Sequence, residues 1–171
     1  LCPPAAAQFT HVLQEAELLD PSPGTSDYMS SGVAIDGDWA VIGVEYDNIQ
    51  GGDAGRAHVY SRTGHAWSVG TAIGPPGTST GDHVGYAVAI DQDDDAPELW
   101  TMVLSAHGED SAYYEDGAVH VYTLCQGTWT HRETLVDPAP WTSDYFGLDV
   151  AVEGQWIVVG ESYDDTNGTQ A

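Results

Sequence analysis

Short apolar runs, each about four to six residues long and closed by Gly, Asp or Pro, recur along the whole chain. Three of them open on tryptophan: Trp39-Ala40-Val41-Ile42-Gly43, Trp100-Thr101-Met102-Val103-Leu104 and Trp156-Ile157-Val158-Val159-Gly160. Two more read Ala57-His58-Val59-Tyr60 and Ala118-Val119-His120-Val121-Tyr122. Val, Ile, Tyr and Trp suit a pleated, half-buried surface, so each run is read as a strand. Asp36-Gly37 and Glu153-Gly154 lie between apolar runs, where glycine accepts a positive φ, and mark hairpins. Helix is nearly absent; only Val12 to Leu19 could be argued helical, and its counterparts further along contain Thr and Pro.

The runs are copies of one another. Ser26-Asp27-Tyr28-Met29-Ser30-Ser31-Gly32-Val33-Ala34-Ile35-Asp36 aligns with Gly81-Asp82-His83-Val84-Gly85-Tyr86-Ala87-Val88-Ala89-Ile90-Asp91 and with Ser143-Asp144-Tyr145-Phe146-Gly147-Leu148-Asp149-Val150-Ala151-Val152-Glu153. Asp27, Asp82 and Asp144 thus recur at intervals of roughly 55 and 62 residues, the longer one absorbing the acidic insert Gln92 to Glu98, read as a solvated loop. Phe9-Thr10-His11, Ala66-Trp67-Ser68 and Trp129-Thr130-His131 add one strand per unit. The division is an N-terminal extension (1–8), a first repeat (9–64), a second (65–127) and an incomplete third (128–171). Four strands per unit of roughly 55–60 residues predicts an all-β fold of β-propeller-type blades, each of four antiparallel strands. A solenoid would need shorter turns, and a sandwich would not need self-similarity.

These landmarks resemble the FG-GAP repeats of integrin-α-like β-propellers. Phe146-Gly147, followed by Leu148-Asp149-Val150-Ala151-Val152, carries the Phe-Gly start literally; Val84-Gly85 is a near match and Met29-Ser30 departs from it. Gly43 and Gly160 stand at the Gly-Ala step, followed here by Val44 and Glu161. The resemblance implies a secreted or cell-surface protein that works in adhesion or assembly. It also implies calcium in the loops between the second and third strands. About three repeats leave an incomplete ring with open blade edges, so the chain is either a portion of a longer propeller or a self-associating protomer.

Charge narrows the partners. The chain has 27 acidic side chains against 3 basic ones, all arginine, for a formal charge of −24. Nucleic acids and anionic membrane surfaces both need clustered cations, so neither is a partner. No apolar run is long enough to span a bilayer. At 42% hydrophobic and 10% aromatic residues the chain is nonetheless too apolar to be disordered. Removal of lysine throughout, not only near the acidic loops, points to a saline, halophilic setting where salt screens the repulsion.

The candidate chemistry sits in the loops. Glu45 to Gly55, Glu109 to Gly117 and Asp164 to Gly168 combine hard oxygen donors with turn-forming glycines, which suits calcium. By resemblance the ligands are Asp47, Asp53, Asp110, Asp116, Asp164 and Asn167, although no loop has the tight D-x-[DN]-x-[DN]-G ladder and each also reads as an acidic, solvent-facing turn. Asp27, Asp82 and Asp144 are read as turn-holding residues, because every unit repeats them. Tyr113, Tyr114 and Trp141 do not repeat, which makes them candidates for ligand binding by ring stacking. With calcium they define the alternative reading, a lectin-like module that binds glycans. Trp67 and Trp129 do repeat and read as blade packing.

No catalytic residues emerge. The seven histidines lack H-x-x-x-H or H-E-x-x-H spacing, and no G-x-S-x-G elbow nominates a serine. The expectation is a binding protein, with a hydrolase the least favoured class. Cys2 and Cys125 could pair in an oxidising compartment, or Cys125 could be a partly buried thiol. Leu1-Cys2-Pro3-Pro4 with Ala5-Ala6-Ala7 is compatible with a processed N-terminus, and Asn167-Gly168-Thr169 is a glycosylation sequon.

Overall fold

The computed structural model describes residues 16–93 and 95–162. Within them the chain forms eleven strands and no helix. The first sheet holds β1 (Val33–Asp36), β2 (Trp39–Val44) and β3 (Arg56–Thr63), with its fourth position shared by β4 (Ala66–Trp67) and β5 (Thr71–Ile73). The second runs in order through β6 (Val88–Gln92), β7 (Trp100–Ala106), β8 (Ala118–Cys125) and β9 (Thr128–Leu135). The third is described as β10 (Asp149–Glu153) and β11 (Trp156–Gly160). All neighbours within the sheets are antiparallel, and the sheets do not close on themselves. The architecture is that of blades in an open arc.

The strands differ from the sequence expectation in two places. The strand expected from Phe9 to Leu19 falls largely outside the described residues, and 16–19 are not in a strand. The fourth strand of the first sheet breaks at Ser68–Gly70. There Ser68 Oγ accepts the Ser61 N–H at 3.0 Å, and the chain passes against the Tyr60 ring at Gly70. Hydrogen bonding unites 33–73 and 88–135, so a unit counted from 65 carries the closing strand of one sheet into the next.

Register fixes which way each side chain faces. Val33, Val88 and Val150 hold one position of the inner strand, and Ile35, Ile90 and Val152 another two residues on. Val88 and Ile90 pack toward the first sheet with Met102, Leu104, Val41 and Val59. Val150 and Val152 pack toward the second sheet with Ala89, Val103 and Val119. Val33 and Ile35, with no preceding sheet described, are each 63% exposed. The opposite face behaves in the same way. Val41 and Val103, equivalent by pairing, are fully buried under the next sheet, while their counterpart Val158 is 67% exposed.

One alignment is corrected by this register. Trp39 pairs with Asp36 and Trp156 with Glu153, but the residue opposite Asp91 is Thr101; Trp100 pairs one step away, with Gln92. A shift of one residue turns a side chain to the other face. Trp100 is therefore buried against the first sheet, touching the turn at Gly37. Trp39 faces the second sheet and meets Trp129 edge-on at 5.5 Å, and Trp156, at the same position, stands 80% exposed.

Polar ties repeat at both ends of the sheets. At the hairpin end, Asp36 Oδ2 accepts the Gln92 N–H at 2.8 Å, and its equivalent Asp91 accepts the Gly154 N–H at 2.6 Å. At the loop end, Gly55 bridges Val84 and Gly117 bridges Phe146 in parallel fashion. Any side chain on Gly43 would collide with the Gly85 carbonyl, on the segment that leads into the second sheet, so this position requires glycine.

Candidate functional site

The loops between the second and third strands share one backbone scaffold. Gly55 N–H donates to the Asp47 carbonyl at 3.0 Å, and Gly117 N–H to the Glu109 carbonyl at 2.9 Å. Asn48 Oδ1 accepts the Asp53 N–H at 2.9 Å; Asp110 Oδ1 accepts the Glu115 N–H at 2.7 Å. Asp53 and Glu115 both adopt positive φ, 55° and 52°. This common frame makes Ala54 the counterpart of Asp116 and Arg56 the counterpart of Ala118.

On that frame the side chains solve burial differently. In the first loop, buried Asp47 meets the buried Arg56 guanidinium at 2.6 Å, and Arg56 also donates to Ser22 Oγ at 3.0 Å. In the second, Asp116 is completely buried and accepts four hydrogen bonds, from the N–H groups of Ser111 (2.7 Å), Ala112 (2.8 Å) and Tyr113 (3.0 Å) and from Ser111 Oγ (2.8 Å). Burial pushes the Asp116 carboxyl pKa up, but these donors together outweigh it and hold it below its ordinary value.

These bonds show how two of the four candidate carboxylates in the described loops are engaged. Calcium needs six to eight oxygens free to turn toward it. Asp47 is committed to an arginine and Asp116 to four protein donors; Asp53 and Asp110 are exposed at the loop surface. Among the described residues, none of the four belongs to a group of three or more ligands close enough to share one ion. Asp164 and Asn167, including the sequon, lie outside the described residues, as does Cys2. Cys125 is exposed at the end of β8, in contrast to the partly buried thiol expected.

A different acidic group forms where the second and third sheets meet. One carboxylate oxygen each from Asp137, Asp144 and Glu161 lies within 4.8 Å of the others. Three oxygens are half of what calcium takes, and the cluster alone assigns no ion. The sequence offered a signal for it: Leu135-Val136-Asp137-Pro138-Ala139-Pro140 repeats Leu18-Leu19-Asp20-Pro21-Ser22-Pro23. Both aspartates cap the chain two residues on, Asp20 to Ser22 N–H at 2.8 Å and Asp137 to Ala139 N–H at 3.1 Å. Asp27, Asp82 and Asp144 are buried, and each accepts the N–H three residues earlier, of Gly24, Ser79 (2.5 Å) and Trp141 (2.6 Å). They hold the turn into each sheet, as their recurrence suggests. The insert is less solvated than expected, because Asp93 is buried and accepts the Asp95 N–H at 2.9 Å.

His58, His120 and His131 lie in the sheets, whereas His65 is exposed in a turn and His83 and His107 stand in loops. His58 and His120 occupy equivalent positions, His58 lying 3.2 Å from Asp20 and His120 bonded to Glu109 at 2.7 Å and His131 at 3.3 Å. Burial lowers the pKa of His58 and His131. His107 is lowered by burial and by His83, whose ring stacks on it at 5.2 Å. The non-repeating aromatics do converge: the Tyr113 and Trp141 rings lie 11° from parallel, centroids 6.5 Å apart, with Tyr114 exposed beside Tyr113.

Sheets of this register, stacked face on face and tied loop to turn, define a propeller-type repeat protein. The FG-GAP repeat matches residues 12–60 and 129–171, more than half of the chain, and the chain belongs to the FG-GAP repeat family. The middle unit carries the same register and ties. FG-GAP repeats build propeller-type modules for protein–protein interaction and are generally non-enzymatic. No curated protein matches the chain.

Proposed function

We propose that the chain is an extracellular or cell-surface assembly module, at work in a saline setting, whose sheet faces bind further sheets of the same repeat type. The observation that carries this reading is the face of Trp156 and Val158, uncovered among the described residues, whose counterparts in the preceding sheets lie under a neighbour. Apolar surface of this kind, flanked by charge, is characteristic of protein contacts. The complementary face, with Val33 and Ile35, lies at the other end of the arc. In a solution of this chain alone, the partner sheet is therefore the first sheet of a second copy, a head-to-tail contact. The acid excess keeps such assemblies soluble and makes their formation salt-dependent.

Sedimentation velocity over a wide concentration range tests the reading. The expected result is a mass that rises with concentration and with salt, and that Trp156→Asp returns to a monomer. A monomer throughout, or association that Trp156→Asp leaves intact, contradicts it.

A further inference from the structure

In the second sheet His120 pairs with Thr134 and Tyr122 with His131, so β9 carries one residue more than β8 between these rungs, a β-bulge. Residues three apart on a regular strand face opposite ways. Here the bulge brings both His131 and Thr134 to the face of His120. Arg132 and Glu133 line the other face with Val121 and Thr123, and Arg132 Nε donates to Thr123 Oγ1 at 2.5 Å. The guanidinium thus stays clear of the imidazoles. The bulge gathers three donor atoms: His120 Nδ1 lies 3.3 Å from His131 Nε2 and 3.1 Å from Thr134 Oγ1, and the last two are 3.4 Å apart.

This triangle has the size of one face of a metal site. A tetrahedral zinc with bonds of about 2.0–2.1 Å holds its ligand atoms about 3.3–3.4 Å from one another. Glu109, as a carboxylate, only accepts, so its contact at 2.7 Å puts the His120 hydrogen on Nε2 and leaves the Nδ1 lone pair facing His131. A carboxylate behind the far nitrogen is the usual support of a metal-bound imidazole. The His120 side chain is only 2% exposed, and Tyr122 meets the His131 ring edge-on at 5.2 Å, so neither ring turns freely. Burial and the neighbouring His120 lower the pKa of His131, which keeps it neutral and able to ligate near pH 7. Thr134 is exposed on the outer strand, which leaves a fourth position open to water. The charge of −24 draws cations to the surface, and paired imidazoles select transition metals among them.

We propose that His120 Nδ1, His131 Nε2 and Thr134 Oγ1 form a binding site for a divalent transition metal such as zinc, with Glu109 positioning His120. The first sheet supplies the contrast. His58, the counterpart of His120, has Ala72 opposite it where His120 has Thr134, and faces Asp20 at 3.2 Å. The site lies within one sheet and stands whether or not the Trp156 face associates.

Calorimetric titration of zinc chloride into the chain in excess magnesium tests it, because magnesium occupies carboxylates and not imidazoles. The expected result is one zinc per chain that resists magnesium, bound at least tenfold more weakly after His131→Gln and as tightly after His83→Gln. Glu109→Gln keeps an acceptor for Nε2–H and removes the charge. It should weaken zinc at least fivefold and lower the pH below which affinity declines, since His120 becomes less basic. Unchanged affinity and pH dependence in Glu109→Gln would overturn the positioning role. In NMR spectra of the parent protein, zinc should shift the ring signals of His120 and His131 and leave those of His58 and His83 in place. Displacement of zinc by magnesium overturns the site, as do His120 and His131 signals that stay still. So does equal weakening by His131→Gln and His83→Gln, which would mean general attraction to imidazoles.

Discussion

Trp39 and Trp156 hold the same place in their sheets, yet one packs edge-on against Trp129 and the other stands in water. Val41 and Val103 against Val158 repeat the contrast two residues on. Local sequence does not make this difference, because Trp156-Ile157-Val158-Val159-Gly160 is as apolar as Trp39-Ala40-Val41-Ile42-Gly43. What differs is the neighbour. A blade face is written for a partner sheet, and among the described residues none lies over Trp156 and Val158.

The largest effect should come from placing a charge on both sides of this comparison. Val103→Asp buries an unpaired carboxylate between two sheets and is expected to cost about 4 kcal/mol or more. Val158→Asp, at the same register, should change monomer stability by no more than about 0.5 kcal/mol. Urea denaturation of the two variants at low protein concentration measures both. Similar losses would mean that the outer face is covered after all.

The two loops give a second contrast, between a shared backbone and different anchors. Asp116→Ala leaves four donors without their acceptor and should cost about 3 kcal/mol, whereas Asp53→Asn on the first loop, which suits the positive φ there, should cost less than about 0.5 kcal/mol. Amide hydrogen exchange at Ser111 to Tyr113 should accelerate in Asp116→Ala. It should not respond to a calcium chelator in the parent protein, because protein donors fill the carboxylate. Loosening of these amides on chelation would restore calcium to the loop.

A smaller effect concerns His58. Burial lowers its pKa in the folded state, so the stability it contributes is present above the ordinary histidine pKa of about 6.5 and is lost as pH falls through the lowered value. The stability of the parent relative to His58→Gln should therefore increase between pH 5.5 and pH 7.5. A difference that is flat, or that runs the other way, would show that Asp20 holds the ring protonated.

Most of the fold was legible because it repeats. Apolar runs, Asp-Gly and Glu-Gly hairpins and the recurring Asp27, Asp82 and Asp144 each state the blade independently, and three copies correct for one ambiguous run. Register was less legible. Trp100 resembles Trp39 in its run but lies one pairing step away, and only the strand opposite fixes the face it occupies. The partners of the loop carboxylates were hidden for a similar reason. Asp47 and Asp116 are the residue types that calcium takes, but Arg56 and the Ser111–Tyr113 amides reach them first through folded contacts. The pairing of Tyr113 with Trp141 joins loops that lie about 28 residues apart in the chain, and only the tie between their backbones brings the rings together.

The central claim, that the Trp156 face receives a further sheet of its own kind, is met most directly by placing a photo-crosslinking amino acid at Val158 and mapping the products by mass spectrometry. The account predicts an intermolecular crosslink to the peptide that contains Val33–Asp36. Crosslinks confined to the loop peptides, or none at concentrations where the chain associates, would contradict it.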